Sequence, residues 1–495
     1  MDIRITQHPT LPDAARMDTL TNLAILLPAT ASTSRRPSYP FRDVLEKRIQ
    51  QSDFKKDSEK PLVMDLPNAP GTRVSLSFVD PDVDSFRLLT LARHHAAVHL
   101  EQNPRRVALI LPGLASQARR ARLTDAFVAA LLAATTPLPS FKSDPPPPPR
   151  LREIALYGFA RRLDLRRTLA EAEGNNLSRA LTALPPNELT PGAYRRRIAR
   201  LARREGWALR FLDQAALEKK GAGAFLAVAQ GSPRRDAGMV RLSYTPPRSG
   251  RRRPLALVGK GICFDTGGMN LKPAKHMHGM HEDMQGSAVA LGTLLALSRL
   301  RVPFPVHCWL ALAQNHIGPG AYKQNDVVTA CNGTTIEVVH TDAEGRMVLA
   351  DTLALAVRDK PALVIDYATL TGACIYALSS RYSGACSNRP QFHEAIIRAG
   401  RASGERVWPF PMDEDFDQAL ESQIADVKQC TLAGEADHIL AARFLQRFVA
   451  ETPWIHVDLA AGNHKGGLAH IPTDITGFGV RFTTRLLLDE RVMET

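Results

Sequence analysis

The second half of the chain alternates between two hydrophobic periods. Short apolar runs at 255–258 (LALV), 306–312 (VHCWLAL), 336–339 (IEVV), 363–367 (LVIDY) and 454–459 (WIHVDL) read as strands. Between them, 287–300 and 347–357 carry apolar residues at helical spacing. Strands separated by helices predict an α/β layer structure with a mainly parallel central sheet flanked by helices. In such a fold, functional residues gather where strands end. The first half is less regular. Residues 107–111 (VALIL, before Pro112-Gly113) and 154–159 read as strands, 23–27 as an early strand, and 123–134 as a helix. The proline run 144–150 is stiff and predicts an exposed loop or linker. A connecting helix over 165–184 ends at Pro185-Pro186. The next helix is well marked: Thr190 as N-cap, Pro191 in the first position, Gly206 as stop, and Tyr194, Ile198 and Leu201 as its apolar stripe. The division expected is a smaller N-terminal α/β domain at 1–163, a connecting helix at 164–189, and a C-terminal α/β domain at 190–495.

Polar residues at the strand ends carry the candidate chemistry. The run 258–268 (VGKGICFDTGG) delivers Lys260 and Asp265 into a glycine-rich turn, where glycine lets the backbone pass close to a bound group. Lys272 follows, then Asp283 just before a helix rich in small residues. Downstream, the strand at 336–339 runs into 340–346 (HTDAEGR). Asp342, Glu344 and Arg346 alternate there, so an extended backbone would place them on one face. Asp265, Asp283, Asp342 and Glu344 together would repel one another strongly. Two divalent ions about 3.5–4 Å apart would resolve the repulsion and activate a water between them. Oxygen-rich ligation favours Zn, Mn or Mg. A surface salt-bridge cluster is the plainer account of any one of these segments; their joint occurrence argues against it.

That joint pattern resembles the leucyl aminopeptidase family. The matching stretches are 259–268 (GKGICFDTGG), 271–288 (LKPAKHMHGMHEDMQGSA), 340–356 (HTDAEGRMVLADTLALA) and 366–378 (DYATLTGACIYAL). The resemblance reaches back to 174–177 and 184–187 and forward to the C-terminus, roughly two-thirds of the chain. It implies a metal-dependent aminopeptidase acting on peptides with a free N-terminus, in a homohexamer. Lys260, Asp265, Asp283 and Glu344 would bind the more exchangeable metal, and Asp265, Asp342 and Glu344 the other. A lysine can serve as a ligand when neighbouring cations depress its pKa. Lys272 would stabilise the oxyanion, and Arg346 would hold a bicarbonate that shuttles the proton to the leaving amine. Asp283 and one metal would receive the substrate's N-terminus. Backbone groups around Thr369, Leu370 and Gly372 would align the peptide, and Met280, Ala461 and His464 would border the side-chain pocket. The chain departs from the family at His340, where Asn is usual, at Thr266 in place of Ser, at His464 in place of an apolar residue, and in the run 467–477. His464 puts a simple leucine preference in doubt and raises a narrow-specificity dipeptidase as an alternative. His276, His278 and His281 raise an extra metal site as an alternative, although their spacing is not a recognised zinc arrangement.

Size and composition narrow the rest. A chain of 495 residues predicts roughly two to three domains, and an apolar share of 44% is enough to build their cores. No apolar run approaches the roughly 18 residues that span a bilayer, which predicts a soluble protein. The net charge of +13 gathers in arginine clusters at 161–167, 195–204 and 251–253. An acidic partner such as nucleic acid is the alternative this raises; solvated arginines are the preferred account, because no nucleic-acid-binding signature accompanies the charge. Six cysteines without a C-x-x-C pair suit a reducing compartment, and Cys263 reads as a core residue. Ala29-Thr30-Ala31 imitates a cleavage site, but no basic stretch precedes the short apolar run, so a cytoplasmic location is expected.

Overall fold

A computed structural model describes residues 3–29, 38–247, 250 and 252–494. Thr30, Ala31 and Arg251 lie outside the described residues. The chain divides into two units, Met1–Ala172 with Gly466–Asp474, and Glu173–Lys465 with Ile475–Thr495.

The first unit is built on a six-stranded sheet. Its spatial order is Arg4–His8, Glu153–Tyr157, Arg106–Ile110, Asn22–Pro28, Arg73–Val79 and Leu62–Asp65. All neighbours are parallel except the last pair, whose edge strand runs antiparallel. Successive side chains of a strand face opposite sides, and Asn22–Pro28 shows the result. Ala24 and Leu26 join one apolar cluster with the helices Ser85–Leu100 and Gln117–Ala134. Leu23, Ile25 and Leu27 join a second cluster. Burial on both faces explains why the strand reads as an unbroken apolar run. The proline run at 144–150 is largely exposed and without regular structure.

The second unit holds an eight-stranded sheet in the order Val407–Pro409, Ser383–Ser387, Trp454–Asp458, Leu363–Ala368, Leu255–Asp265, Val306–Asn315, Gly238–Tyr244 and Ala208–Asp213. The four central strands are mutually parallel, as the sequence pattern predicts for this region. Antiparallel pairs flank them. Helices Gln285–Arg299 and Glu344–Ala356 pack on the central strand Leu255–Asp265. The first of these can approach closely because its N-terminal turns carry small residues. A Cβ on Gly259 would lie 2.5 Å from Ser287 Cα, and one on Gly286 would lie 2.1 Å from the Tyr367 carbonyl oxygen. Those glycines therefore set the distance between helix and sheet.

The helix Pro191–Glu205 forms with Thr190 accepting the Ala193 N–H and Gly206 in the left-handed region. The run 336–339 differs from expectation. Its strand is shorter, Thr335–Glu337, and belongs to a separate three-stranded sheet with Val327–Thr329 and Val427–Lys428. Its backbone polar groups pair outside the main sheet. Among the described residues no helix is long and apolar enough to cross a membrane.

Candidate active site

Strand Leu255–Asp265 carries Lys260 and Asp265 into the interior, where both are almost fully buried. The chain then turns sharply through Gly267 and Gly268, both at positive φ. A Cβ on Gly267 would sit 2.4 Å from the Asn270 carbonyl and 3.0 Å from Asp342 Oδ1, so this turn requires glycine. It returns Lys272 toward Asp265. The short 3-10 helix Met280–Met284 supplies buried Asp283. Glu344 enters from the first turn of helix Glu344–Ala356 and is 1% exposed.

The side chains interlock. Lys260 Nζ lies 2.8 Å from Asp283 Oδ1 and 2.8 Å from Glu344 Oε1, and donates to the Thr369 carbonyl at 2.9 Å. Lys272 Nζ lies 2.9 Å from Asp265 Oδ2 and 2.6 Å from Asp342 Oδ1. Asp265 Oδ1 also accepts from the Gly267 N–H and from Asn315 Nδ2. One ligand atom each of Asp265, Asp342 and Glu344 falls within 4.8 Å of the others. Two buried oxygens, Asp283 Oδ2 and Glu344 Oε2, have no hydrogen-bond partner among the described residues.

Four carboxylates thus face two ammonium groups, and their acidities diverge. Burial, then the charges of Glu344 and Asp283, push Asp265 well above the carboxylate range. Burial pushes Asp283 up to about 7 despite Lys260, with Glu344 adding to the rise. Burial also opposes the charge on Glu344, but Lys260 and Lys272 outweigh it and hold that carboxyl low. Burial disfavours charge on Lys260 as well; Asp283, Glu344 and Asp265 more than compensate, so its ammonium is strengthened. Four carboxyl groups share two ammonium counter-charges, and burial with mutual repulsion raises Asp265 and Asp283 toward their protonated forms.

It forms the floor of a cavity of about 680 Å³. Lys260, Asp265, Lys272, Asp283, Asp342, Glu344 and Arg346 all line it, as do Met280, Thr369, Leu370 and Gly372. Exposed Ile375, Tyr376 and Leu432 stand on its wall. Ala461 and His464 are not part of the lining: Ala461 is fully buried, and His464 Nδ1 pairs with Ser380 Oγ at 2.8 Å. The alternation of Asp342, Glu344 and Arg346 does not operate through an extended backbone. Glu344 and Arg346 sit in a helical turn, so helix geometry aims them. Arg346, 2% exposed, donates Nη2 to both oxygens of Asp437 at 2.8 Å and Nη1 to the Gln429 carbonyl at 3.0 Å. His340 Nδ1 accepts the Asp342 N–H, so it braces the backbone beside a cluster carboxylate. Of the three neighbouring histidines only His276 reaches the cavity. Cys263 is buried in the core strand, and burial pushes its thiol up.

Sequence reasoning missed Asn315, Gln429, Asp437 and Asp458. Asn315 had a signal, since it ends strand Val306–Asn315 directly beside Asp265. Gln429 accepts from the Val339 and His340 N–H groups and donates to Ala343, holding the segment around Asp342. It lies just beyond the short strand Val427–Lys428, and nothing local marks it. Several clustered arginines have local partners: Arg166 with Asp164, Arg167 with Glu171, Arg204 with Glu205, and Arg195 over the Phe211 ring.

Comparisons with known proteins match this region. The model of the cytosol aminopeptidase family, catalytic domain, matches residues 176–484. A probable cytosol aminopeptidase of Syntrophotalea carbinolica is 43% identical over 320 residues, 64% of this chain and 63% of that protein. One of Stutzerimonas stutzeri is 40% identical over 362 residues, 70% of this chain and 71% of its own. The chain thus spans slightly under two thirds of the first relative. The solved structure of a tomato leucine aminopeptidase mutant superposes with a TM-score of 0.86 at 26% identity, covering 98% of this chain and 97% of that one.

Proposed function

The chain belongs to the cytosol aminopeptidase family, and on that premise we propose that it is a metal-dependent aminopeptidase releasing N-terminal amino acids from peptides. One observation carries the reading: buried carboxylates converge on a cavity floor with Asp283 Oδ2 and Glu344 Oε2 unpaired. Unpaired buried acceptors are costly, and carboxylates packed this tightly take up protons unless cations hold them ionised.

The residues fit two divalent ions. Lys260, Asp265, Asp283 and Glu344 would hold one, with Lys260 giving up its proton, and Asp265, Asp342 and Glu344 the other. Manganese, zinc or magnesium in these places would polarise the scissile carbonyl and lower the pKa of a water. The protein's own groups do the rest. Lys272, released from its carboxylate partners, would lie against the carbonyl oxygen and offset its growing charge. Asp283 would receive the substrate's ammonium group and so restrict attack to the first peptide bond. Backbone groups of Thr369, Leu370 and Gly372 would align the chain. Met280 would contribute to the side-chain wall, with Ala461 and His464 acting only through the adjoining segment, whose Ala460 lines the cavity. The resemblance also implies bicarbonate at Arg346. Both terminal nitrogens of that guanidinium are already engaged by Asp437 and Gln429, which leaves poor accommodation for a second carboxyl group, and no step is routed through it.

We further propose a homohexamer in the cytoplasm, in keeping with the family resemblance and with relatives named cytosol aminopeptidases. The catalytic domain is assigned to 190–495, reached through a connecting helix at 164–189 from an N-terminal domain at 1–163. The test is hydrolysis of a panel of aminoacyl amides by metal-stripped protein after adding back Mn, Zn or Mg. Metal-restored release of the first residue is expected. No turnover with any metal, in a folded and metal-loaded protein, would refute the reading.

A further inference from the structure

We propose that Asp437 is the carboxylate that carries the proton during hydrolysis, fixed by Arg346 where an external anion would otherwise bind; this rests on the aminopeptidase reading. Peptide hydrolysis needs a group that takes a proton from water and gives one to the departing amine. Besides His276 and His340, whose Nδ1 already accepts the Asp342 N–H, the titratable groups of the cavity wall that could accept a proton are mainly carboxylates. Asp265, Asp283, Asp342 and Glu344 are committed to the charged cluster. Asp458 is buried and accepts from Thr371 Oγ1 and from the N–H groups of Leu370 and Thr371. Asp437 differs from all of these. It lines the same cavity, its side chain is 23% exposed, and Arg346 Nη2 holds both its oxygens at 2.8 Å.

Two further features fix it in place. Arg346 is two residues beyond Glu344 on the same buried helical turn, so the cluster and the guanidinium share one rigid support. Arg346 Nη1 is also tied to the Gln429 carbonyl, which leaves the guanidinium little freedom. On the other side, Asp437 opens helix Asp437–Gln446 directly after Ala436, whose φ of 51° is disfavoured for any residue but glycine. Such strain persists where surrounding contacts enforce it.

In the step proposed, a water oxygen bonds to the carbonyl carbon while its proton passes to Asp437. When the C–N bond breaks, that proton moves to the departing nitrogen and the carboxylate is restored. Peptide and water become an acid and an amine, with no other reactant consumed.

The experiment uses the full-length, zinc-loaded protein with Asp437→Asn and Asp437→Ala. Asp437→Asn keeps the volume and one acceptor for Arg346 but has no carboxylate. We expect its kcat to fall by about 10²-fold or more, with KM little changed and no response to bicarbonate. Asp437→Ala opens the position, so added bicarbonate should restore its kcat at least about tenfold and saturably. Wild type should be indifferent to bicarbonate. A second readout is independent of turnover: the ¹³C line of labelled bicarbonate should broaden with Asp437→Ala and not with wild type. Wild-type kcat in Asp437→Asn overturns the proton-carrying role. Equal broadening by wild type and Asp437→Ala overturns the occupancy of Arg346. If wild type hydrolyses nothing, the aminopeptidase reading falls with the proton role, and the line width still decides the occupancy.

Discussion

Each unit buries a polar group of residues beside its sheet, and the two groups are opposite in kind. In the N-terminal unit, Ser75 Oγ lies 2.6 Å from His95 Nδ1 and 2.7 Å from His99 Nε2. Ser77 Oγ meets His95 Nε2, and Asn22 meets His99 Nδ1. All four ring nitrogens are partnered. Burial pushes both histidines down to about 3, with the neighbouring His99 and His94 adding for His95 and the charge of Arg73 adding for His99, so both are neutral near pH 7. In the second unit, four carboxyl groups crowd around two lysines, and two of their oxygens are unpaired among the described residues. A closed neutral network rigidifies a core. An open charged cluster costs stability and is retained for what it binds. The histidine group is fully buried and the charged cluster is buried except for Asp342 and Lys272, which reach the cavity, so burial alone does not mark a functional site; a crowded set of charged groups open to a cavity does.

Several changes should separate the two regions. The largest effect is expected from Glu344→Ala, which removes a carboxylate assigned to both metals: kcat should fall on the order of 10³-fold or more in a steady-state assay of aminoacyl amide hydrolysis. Lys272→Ala should cost about 10²–10³ in kcat, the scale of one lost oxyanion donor, with metal content unchanged by elemental analysis.

Acidification should weaken the first region. His95 and His99 bind protons more readily when unfolded, so their contribution to stability is full above about pH 6.5 and is lost as pH falls toward about 3. At pH 5 the loss is roughly 2 kcal/mol per histidine, measurable by denaturant unfolding and smaller in His95→Leu. Asp283 has the opposite sign in metal-free protein. Its folded value of about 7 exceeds the unfolded one, so its contribution is full below about pH 4 and declines as pH rises toward 7. Asp283→Asn should remove that slope.

The smallest effect is expected from Ser75→Ala, which strands two buried ring nitrogens. It should cost about 1–3 kcal/mol of stability and leave kcat/KM untouched. A comparable loss of activity in Ser75→Ala would break the contrast between the regions.

The sequence made the cluster readable because its members sit at strand ends and beside glycines, where backbone geometry is locally dictated. Lys260, Asp265 and Lys272 are such residues, and so are the long central strands with their buried apolar runs. Glu344 and Arg346 were placed on an extended face because nothing in DAEGR marks the helix that starts at Glu344; packing on the strand Leu255–Asp265 decides it. The run 336–339 has the composition of a central strand, yet its partner Val427–Lys428 lies about ninety residues away and draws it into another sheet. Asp437 was invisible for the same reason. Its meaning depends on Arg346, 91 residues earlier in the chain, and no local pattern encodes that pairing.

The central claim is that the unpaired carboxylate cluster is a two-ion site. The most direct measurement is equilibrium binding of manganese to the stripped protein, with Glu344→Ala in parallel. Two ions per chain in wild type, and a loss of both in the variant, is the result this account predicts. No binding in a folded protein, or binding that Glu344→Ala leaves intact, would contradict it.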